Sequence, residues 1–216
     1  MTAAVSLAFA LTSSGQDLAP QTQLQMTKIV CRYYGPKIAP SSPEARLNTV
    51  YRAGDKYERI EQSSDPAQKN GMLQITSEPD AWFVNLENHT AVHSLDKGPD
   101  FSIHHYIIWT QPSHLPDADF LDLEFGKEAI FVRQAQAKEI GMRKVDNREA
   151  KAYLAKGGER DVALFFDPVT DKPLRIEVTK NGKPDMAVDY LEYETELPFD
   201  PALFELPKGI KITKQK

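Results

Sequence analysis

The chain has 216 residues, 41% of them hydrophobic, which is the composition of one ordinary globular domain. A chain of this size buries roughly 70% of its unfolded surface and needs no disulfide framework, and the single Cys31 could not form an internal disulfide in any case. The net charge of −5, without a basic stripe before the C-terminal tail, disfavours a nucleic-acid-binding protein.

The N-terminal part contains an apolar run, residues 3–11, followed by polar residues. Its length suits the core of a secretory signal peptide and is too short to span a bilayer. No basic residue precedes it, so either the start codon is set too late or the run is a short N-terminal helix of the mature protein. We expect residues 1–16 to be a signal peptide and residues 17–216 to form a single domain outside the cytoplasm, with no transmembrane span.

The next part of the chain alternates between short apolar runs and turn residues, which predicts a series of β-strands. Gly54-Asp55 is a hairpin signal, because glycine stands first in a two-residue loop. Trp82, Val84 and Leu86 share one face of their strand, and Phe83 lies on the other face. The predicted strands cover residues 24–34, 46–53, 56–62, 72–77, 81–87 and 90–95.

Residues 97–118 break this rhythm with a long connection that is too apolar to lie bare in solvent and contains Trp109. Long loops in compact domains often act as binding loops or lids, and the alternative is a further strand or short helix packed on the core. Residues 119–137 then predict the main helix, with Asp119 as its N-cap. Gly126 weakens this helix by about 1 kcal/mol relative to alanine, and the alternative to a continuous helix is one that bends or breaks there.

The C-terminal third has the strongest pattern, an antiparallel meander with turn signals at residues 167–173 and 181–184. A hairpin precedes it, with strands 140–144 and 150–155 around the turn Asp146-Asn147. The alternating apolar residues of the meander are Val162, Leu164, Phe166, Leu174, Ile176, Val178, Met186, Val188 and Tyr190. The residues of the opposite face, which we expect to meet water, are Arg175, Glu177, Thr179 and Asp189. A short turn or helix at 203–204 then leads to a last strand.

No motif in the chain specifies catalysis or metal binding. The five histidines are His89, His93, His104, His105 and His114. On a strand, His104 and His105 point to opposite faces and cannot chelate one ion, and no HExxH-type spacing exists. A glycine-rich phosphate loop and a G-x-S-x-G elbow are also missing. We therefore expect no cofactor, no metal and no enzymatic activity.

Three stretches combine strands and turns in a definite order. They are LQITSEPDAWFVNLENHTAVHSL at 73–95, LFFDPVTDKPLRIEVTKNGK at 164–183 and DPALFELPKGI at 200–210. In this order the chain, over roughly residues 24–213, resembles the LolA/LolB-like superfamily of outer-membrane lipoprotein carriers.

The resemblance implies a strongly curved, half-open antiparallel barrel with helices across its concave mouth. Members of the superfamily carry lipid-modified proteins or other hydrophobic ligands, and relatives act as envelope-stress sensors that bind partner proteins. The chain departs from the family before its first strand, because residues 16–23 are too short and proline-interrupted for the expected helix. No ligand-gating residue of the carriers aligns with this chain, so no site residue is transferred from the family.

We expect a mainly β (α+β) fold, a strongly curved antiparallel half-open β-barrel with one main helix and a long loop covering the concave face. The predicted function is that of a periplasmic or otherwise extracytoplasmic carrier of a hydrophobic ligand, a lipid or an acylated protein, in outer-membrane biogenesis. The predicted ligand-binding residues are Trp82, Val84, Leu86, Trp109, Leu164, Phe166, Ile176, Val178 and Val188. The alternative is a protein-interaction or envelope-stress-sensing module that binds an envelope partner through a sheet edge or residues 101–109. Alternation alone does not distinguish an open concave face from a filled one.

Overall fold

In the computed structural model of the protein, the described residues are 24–63, 71–95, 107–110, 115–116, 120 and 122–213. They form fourteen β-strands and one α-helix. The elements are β1 (Gln25–Tyr34), β2 (Leu47–Ala53), β3 (Tyr57–Gln62), β4 (Met72–Ser77), β5 (Asp80–Asn85), β6 (Thr90–Leu95), β7 (Trp109–Thr110), β8 (Leu115–Pro116), α1 (Glu128–Gln134), β9 (Lys138–Val145), β10 (Arg148–Lys156), β11 (Arg160–Phe166), β12 (Pro173–Lys180), β13 (Lys183–Pro198) and β14 (Lys211–Thr213). The predicted signal peptide, residues 1–16, lies outside the described residues.

Twelve of these strands form one sheet in the order β14-β6-β5-β4-β3-β2-β1-β13-β12-β11-β10-β9. Neighbouring strands are antiparallel except for β14, which pairs with β6 in parallel. Among the described residues the sheet does not close on itself, since β14 and β9 are its two ends. The predicted half-open antiparallel barrel with one main helix is confirmed.

The strand positions follow the sequence pattern closely. β4 and β6 have the predicted bounds, and the hairpin turns lie where the turn residues indicated. Asp146 and Asn147 both have positive φ, and so do Asn181 and Gly182, which is the geometry that matches the twist of a two-residue hairpin. The predicted turn near the C-terminus is a short 3-10 helix, Pro201–Phe204.

The predicted helix 119–137 is wrong in extent, because α1 covers only Glu128–Gln134. Gly126 has a φ of +82°, which lies in the left-handed region and interrupts a right-handed helix. The helix therefore starts after it, with Lys127 at the N-cap position. The predicted N-cap, Asp119, lies outside the described residues.

The strand register assigns the side chains of the sheet to two faces, because directly paired residues point to the same side. Ile29 pairs with Val50, and Val50 pairs with Ile60. These three side chains lie on the side that packs against α1, which is the concave face of the half-barrel. Tyr51 and its partner Arg59 lie on the opposite, convex face.

A large core lies on the concave face of β1 and β10–β13. A cover segment, which consists of residues 107–108, 120 and 122–134, packs onto these strands. Its buried apolar residues are Ile107, Ile108, Phe120, Leu123, Phe125 and Phe131. Cys31 is fully buried in the same core.

A second core lies on the convex face of β2–β6. Ala53, Leu73, Ile75 and Val84 pack there against the C-terminal segment, residues 199–210. The Arg59 guanidinium fixes this segment by donating a hydrogen bond to the Leu203 carbonyl at 2.9 Å. A third, smaller cluster on the convex face of β9–β12 contains Val145, Ala150, Ala152, Phe165 and Leu174. The C-terminal half of the sheet therefore buries apolar side chains on both faces, whereas the core of β2–β6 lies mainly on the convex face.

Replacing Ile176 with alanine should lower the free energy of unfolding by about 2–5 kcal/mol, because the side chain is fully buried in the concave core and leaves a cavity. Urea unfolding followed by circular dichroism measures this loss. Val169→Ala is the control, with an expected change within about 0.5 kcal/mol, since Val169 is exposed in the turn between β11 and β12. Equal effects of the two variants would contradict the assignment of Ile176 to the core.

Candidate ligand-binding face

Five of the nine predicted ligand-binding residues lie together on the concave face. They are Leu164, Phe166, Ile176, Val178 and Val188, and all are buried beneath the cover segment. This half of the concave face is filled in the described structure. The binding role of these residues remains a prediction.

Trp82 and Val84 lie on the opposite face of the sheet from this group. Val84 pairs with Leu73 and Ala91, and all three belong to the convex core. The expectation that Trp82 and Val84 share the concave face with the C-terminal strands is wrong. Alternation shows which residues of one strand share a face of the sheet. Whether residues of two distant strands share a face depends on the register of every strand pair between them.

The two remaining predicted residues lie outside both cores. Leu86 follows β5 in a turn and is 38% exposed. Trp109 is the first residue of β7 and pairs with Pro116 of β8, but its side chain lies outside the described part of the structure. Most of the predicted lid, residues 97–118, is likewise outside the described residues.

An open apolar patch lies on the concave face of β3–β6. Ile60 connects through Gln74 to Phe83 and then to Val92 by direct cross-strand pairing. Phe83 is 48% exposed and Met72, on the same face, is 57% exposed. We call Ile60, Met72, Phe83 and Val92 the open patch. The sequence places Phe83 and Trp82 on opposite faces of their strand. With the strand registers, this alternation would have been enough to predict the open patch.

A buried ion pair connects the cover segment to the sheet. Arg52 of β2 lies 2.6 Å from a carboxylate oxygen of Glu124, and both side chains are almost completely buried. Arg52 also donates hydrogen bonds to the Phe125 carbonyl at 3.2 Å and to the Gly54 carbonyl at 3.1 Å. The guanidinium thus fixes the position of the residues that lead into α1.

A buried carboxylate forms the second connection. Glu128 accepts hydrogen bonds from the hydroxyls of Tyr190 at 2.8 Å and Tyr193 at 2.9 Å, and from the Gly126 N–H at 3.1 Å. Burial raises the pKa of the Glu128 carboxyl above its usual value, although these hydrogen bonds act in the opposite direction. Burial also raises the pKa of both tyrosines, and Glu128 adds to this effect.

A β-bulge makes this arrangement possible. Val30 pairs with Glu192 whereas Cys31 pairs with Tyr190, so Leu191 is an extra residue in β13. Residues three positions apart on a regular strand point to opposite faces. Because of the bulge, Tyr190 and Tyr193 both face the concave side and reach Glu128.

A cleft of about 500 Å³ has a mixed polar and apolar lining, which consists of Arg32, Tyr33, Tyr34, Ile38, Pro40, Ala45, Asp146, Arg175 and Asp189. Arg175 lies 2.6 Å from Asp189 and 2.8 Å from Asp146. The face of β12 and β13 that we expected to meet water is therefore partly covered here, and the charge of Arg175 is neutralised by the two carboxylates.

The open patch can offer apolar contacts, and the described residues bring no reactive set of side chains to it. Within the described ranges there is no group of three or more His, Cys, Asp or Glu residues that could hold a metal ion. His93 contacts Asp80 at 2.6 Å and stacks on Trp82 on the convex face. His104, His105 and His114 lie outside the described residues.

Among solved structures, the chain is similar to an uncharacterised conserved protein from Thermus thermophilus, at 12% identity over 90% of this chain and 92% of that one, with a TM-score of 0.51. It is also similar to MucB in the Pseudomonas aeruginosa MucA/MucB complex, at 11% identity over 88% of this chain and 58% of that one (TM-score 0.46). A LolA superfamily protein from Nitrosomonas europaea matches at 10% identity over 87% and 92% (TM-score 0.30).

The likeness shows the fold alone. The matched structures include a LolA superfamily protein, and the match to it is partial. No protein-family model and no curated protein matches the chain. Within the described ranges, no helix is both long and apolar enough to cross a membrane.

Replacing Arg52 with methionine should lower the free energy of unfolding by about 3 kcal/mol, the lower end of the cost of breaking a buried pair, because the buried Glu124 keeps only Lys127, at 3.4 Å, as a cation. Lys28→Met is the matched control. Lys28 has the same 2.6 Å separation from Glu192, but that pair lies at the surface and contributes about 1 kcal/mol or less. Urea unfolding of both variants measures the difference, and a similar loss in the two would contradict the role of Arg52.

Glu128 should make stability depend on pH. An acid whose pKa is raised in the folded state stabilises the fold below its unfolded pKa of 4.5, and this contribution is lost as pH rises through the folded pKa. The melting temperature of the wild type relative to Glu128→Gln should therefore fall as pH increases above about 4.5. Tyr193→Phe is the control, since it retains the carboxylate. A difference that is constant between pH 4 and 8 would contradict this prediction.

Proposed function

We propose that the protein is an extracytoplasmic, non-enzymatic binding or carrier protein that holds a hydrophobic ligand on its concave face. The ligand is the acyl chain of a lipid or of an acylated protein. The open patch is the observation that supports this proposal, because Phe83 and Met72 expose apolar surface on the inner side of a curved sheet.

An acyl chain needs only apolar surface and room to bind. Each buried methylene contributes about 0.8 kcal/mol, so a chain of about ten methylenes gains roughly 8 kcal/mol before the costs of association. The patch continues into the concave core, since Ile60 belongs to the patch and also packs against that core. A chain lying on the patch would thus contact apolar side chains along its length.

The cover segment limits how far such a ligand can enter. Its apolar residues already fill the concave face of β10–β13, and Arg52 and Glu128 fix its position through buried polar contacts. We propose that the ligand occupies the open patch while the cover remains in place. Ligand contact with Val178 or Val188 would require the cover to move.

The proposed location follows from the apolar run at residues 3–11, interpreted as a signal peptide. The alternative function is a protein-interaction or envelope-stress-sensing module that holds no lipid. The observation in its favour is β9, which is an open end of the sheet among the described residues.

Native mass spectrometry of protein purified from a bacterial envelope, before and after organic extraction, tests the proposal. The wild type should show a lipid-sized adduct that extraction removes. Phe83→Glu should lose the adduct and keep a folded circular dichroism spectrum, because a carboxylate on the patch repels an acyl chain without entering a core. Val169→Glu, in an exposed turn, should keep the adduct.

Val84→Glu and Val178→Glu are a second pair of controls, which place a carboxylate in a core and not on the open patch. Both side chains are buried, so an unpaired carboxylate there should unfold the protein rather than remove the ligand selectively. A wild type with a clean apo mass, or a Phe83→Glu variant that retains the adduct, would contradict the proposed ligand site.

A further inference from the structure

β9 is an end strand with an open edge in the described part of the sheet. It pairs with β10 on one side, and the sheet order ends there. Most of its residues are exposed, including Met142 at 48%. A register shift near Ile140 leaves 141–145 as the regular part of the edge.

The hairpin geometry shows which backbone groups of this edge point outward. Val145 and Arg148 flank a two-residue turn, and such residues exchange backbone hydrogen bonds. Pairs alternate between bonded and non-bonded along an antiparallel ladder, so Met142 and Lys144 are non-bonded to β10. Their N–H and C=O groups face away from the sheet.

A side-chain contact agrees with this geometry. The Arg143 guanidinium donates a hydrogen bond to the Met142 carbonyl at 2.9 Å. That carbonyl is therefore accessible from the open side, and the guanidinium lies at the edge itself. The edge offers main-chain partners and a cation at the same place.

The β9–β10 hairpin is the basic part of an acidic protein. Its basic residues are Lys138, Arg143, Lys144, Arg148, Lys151 and Lys156. Its acidic residues are Glu139, Asp146 and Glu149. The hairpin thus has a net charge of +3, whereas the whole chain has −5.

The three acidic residues leave Arg143 without an acidic cross-strand neighbour, since Arg143 pairs with Ala150. Asp146 pairs with Arg175, Glu139 lies 3.9 Å from Lys151, and Glu149 lies directly opposite Lys144. Arg143 and Lys144 form no ion pair with any residue that the structure describes. A second copy of the chain is a poor occupant, because antiparallel pairing of two β9 strands brings like charges together.

We infer that the open edge of β9 binds an extended acidic segment of a partner protein. The segment adds a strand next to residues 141–145, with its backbone bonded to Met142 and Lys144. Successive side chains of a strand point to opposite faces, so carboxylates on one face of the added strand lie near Arg143 and those on the other face near Lys144. This inference does not depend on a lipid in the open patch.

A fluorescein-labelled seven-residue peptide, Glu-Glu-Val-Glu-Glu-Val-Glu, is the probe, because it presents carboxylates on both faces of a strand. Fluorescence anisotropy at low salt measures its binding. The same peptide with alternate N-methylated amides keeps the charge but cannot complete the ladder, so it should bind at least about tenfold more weakly. A peptide with Lys in place of Glu should not bind. Binding of the acidic peptide should weaken as salt is added.

Variants of the protein separate charge from strand pairing. Arg143→Glu with Lys144→Glu should weaken binding at least about tenfold, whereas the matched reversal Lys208→Glu with Lys211→Glu, at the other end of the sheet, should not. Met142→Pro should also weaken binding, because it removes an outward N–H and leaves the charges and the β9–β10 bonds in place. Phe83→Glu should bind the peptide normally even if it loses the lipid adduct.

Three results would overturn the inference. The N-methylated peptide could bind as tightly as the unmodified one, which would leave only a charge contact. The acidic peptide could fail to bind while vesicles with phosphatidylglycerol bind through Arg143 and Lys144, which would identify a membrane-facing surface. If neither the acidic peptide nor the vesicles bind, the basic residues of β9 serve to prevent edge-to-edge aggregation of the sheet.

Discussion

The pairing of β1 with β13 is the interaction on which the rest of the structure depends. β2–β6 and β9–β13 are two antiparallel meanders, and β1 joins them by pairing with β2 on one side and β13 on the other. The pairing connects distant parts of the chain, since Lys28 and Glu192 are 164 positions apart. Closing a loop of this length costs only slightly more entropy than closing a shorter one, because the cost grows logarithmically.

The register of this one pair determines which side chains share a face across the whole sheet. A slip of one residue would move the apolar residues of one meander to the other side of the sheet. The bulge at Leu191 adds a second effect, because it brings Tyr193 to the side of Tyr190. The buried site for Glu128, and with it the position of α1, is a consequence of this local irregularity.

The strands could be predicted from the sequence because alternation and turn residues are local signals. β4 and β6 were predicted to the residue, and the turn at Asp146-Asn147 was recognised from its composition. The face of Trp82 relative to the C-terminal strands could not be predicted, since it depends on the registers of the five strand pairs from β13 to β5. The extent of α1 was missed because Phe120 and Leu123 have helical spacing but pack in a turn before Gly126.

The convex core of β2–β6 explains why an apolar patch remains on the concave side of the same strands. The C-terminal segment satisfies the convex apolar residues of β2–β5, so the concave side of the same strands does not have to form a core. Its side chains are accordingly mixed, with Glu58 and Thr76 near the cover and Phe83 and Met72 beyond it. The open patch is the apolar part of the concave face that lies outside the buried cores.

The cover segment is positioned by polar contacts as well as apolar ones, which has a consequence for any ligand on the concave face. A buried ion pair contributes little net stability, because desolvation offsets most of its attraction, but breaking it is costly. The Arg52–Glu124 ion pair and the hydrogen bonds of Glu128 therefore determine where the cover segment lies, and they add little to the free energy of unfolding. A ligand that fits beside the cover avoids this cost, whereas one that displaces it must replace two buried carboxylate sites. The geometry thus favours binding on the patch over binding in the filled half.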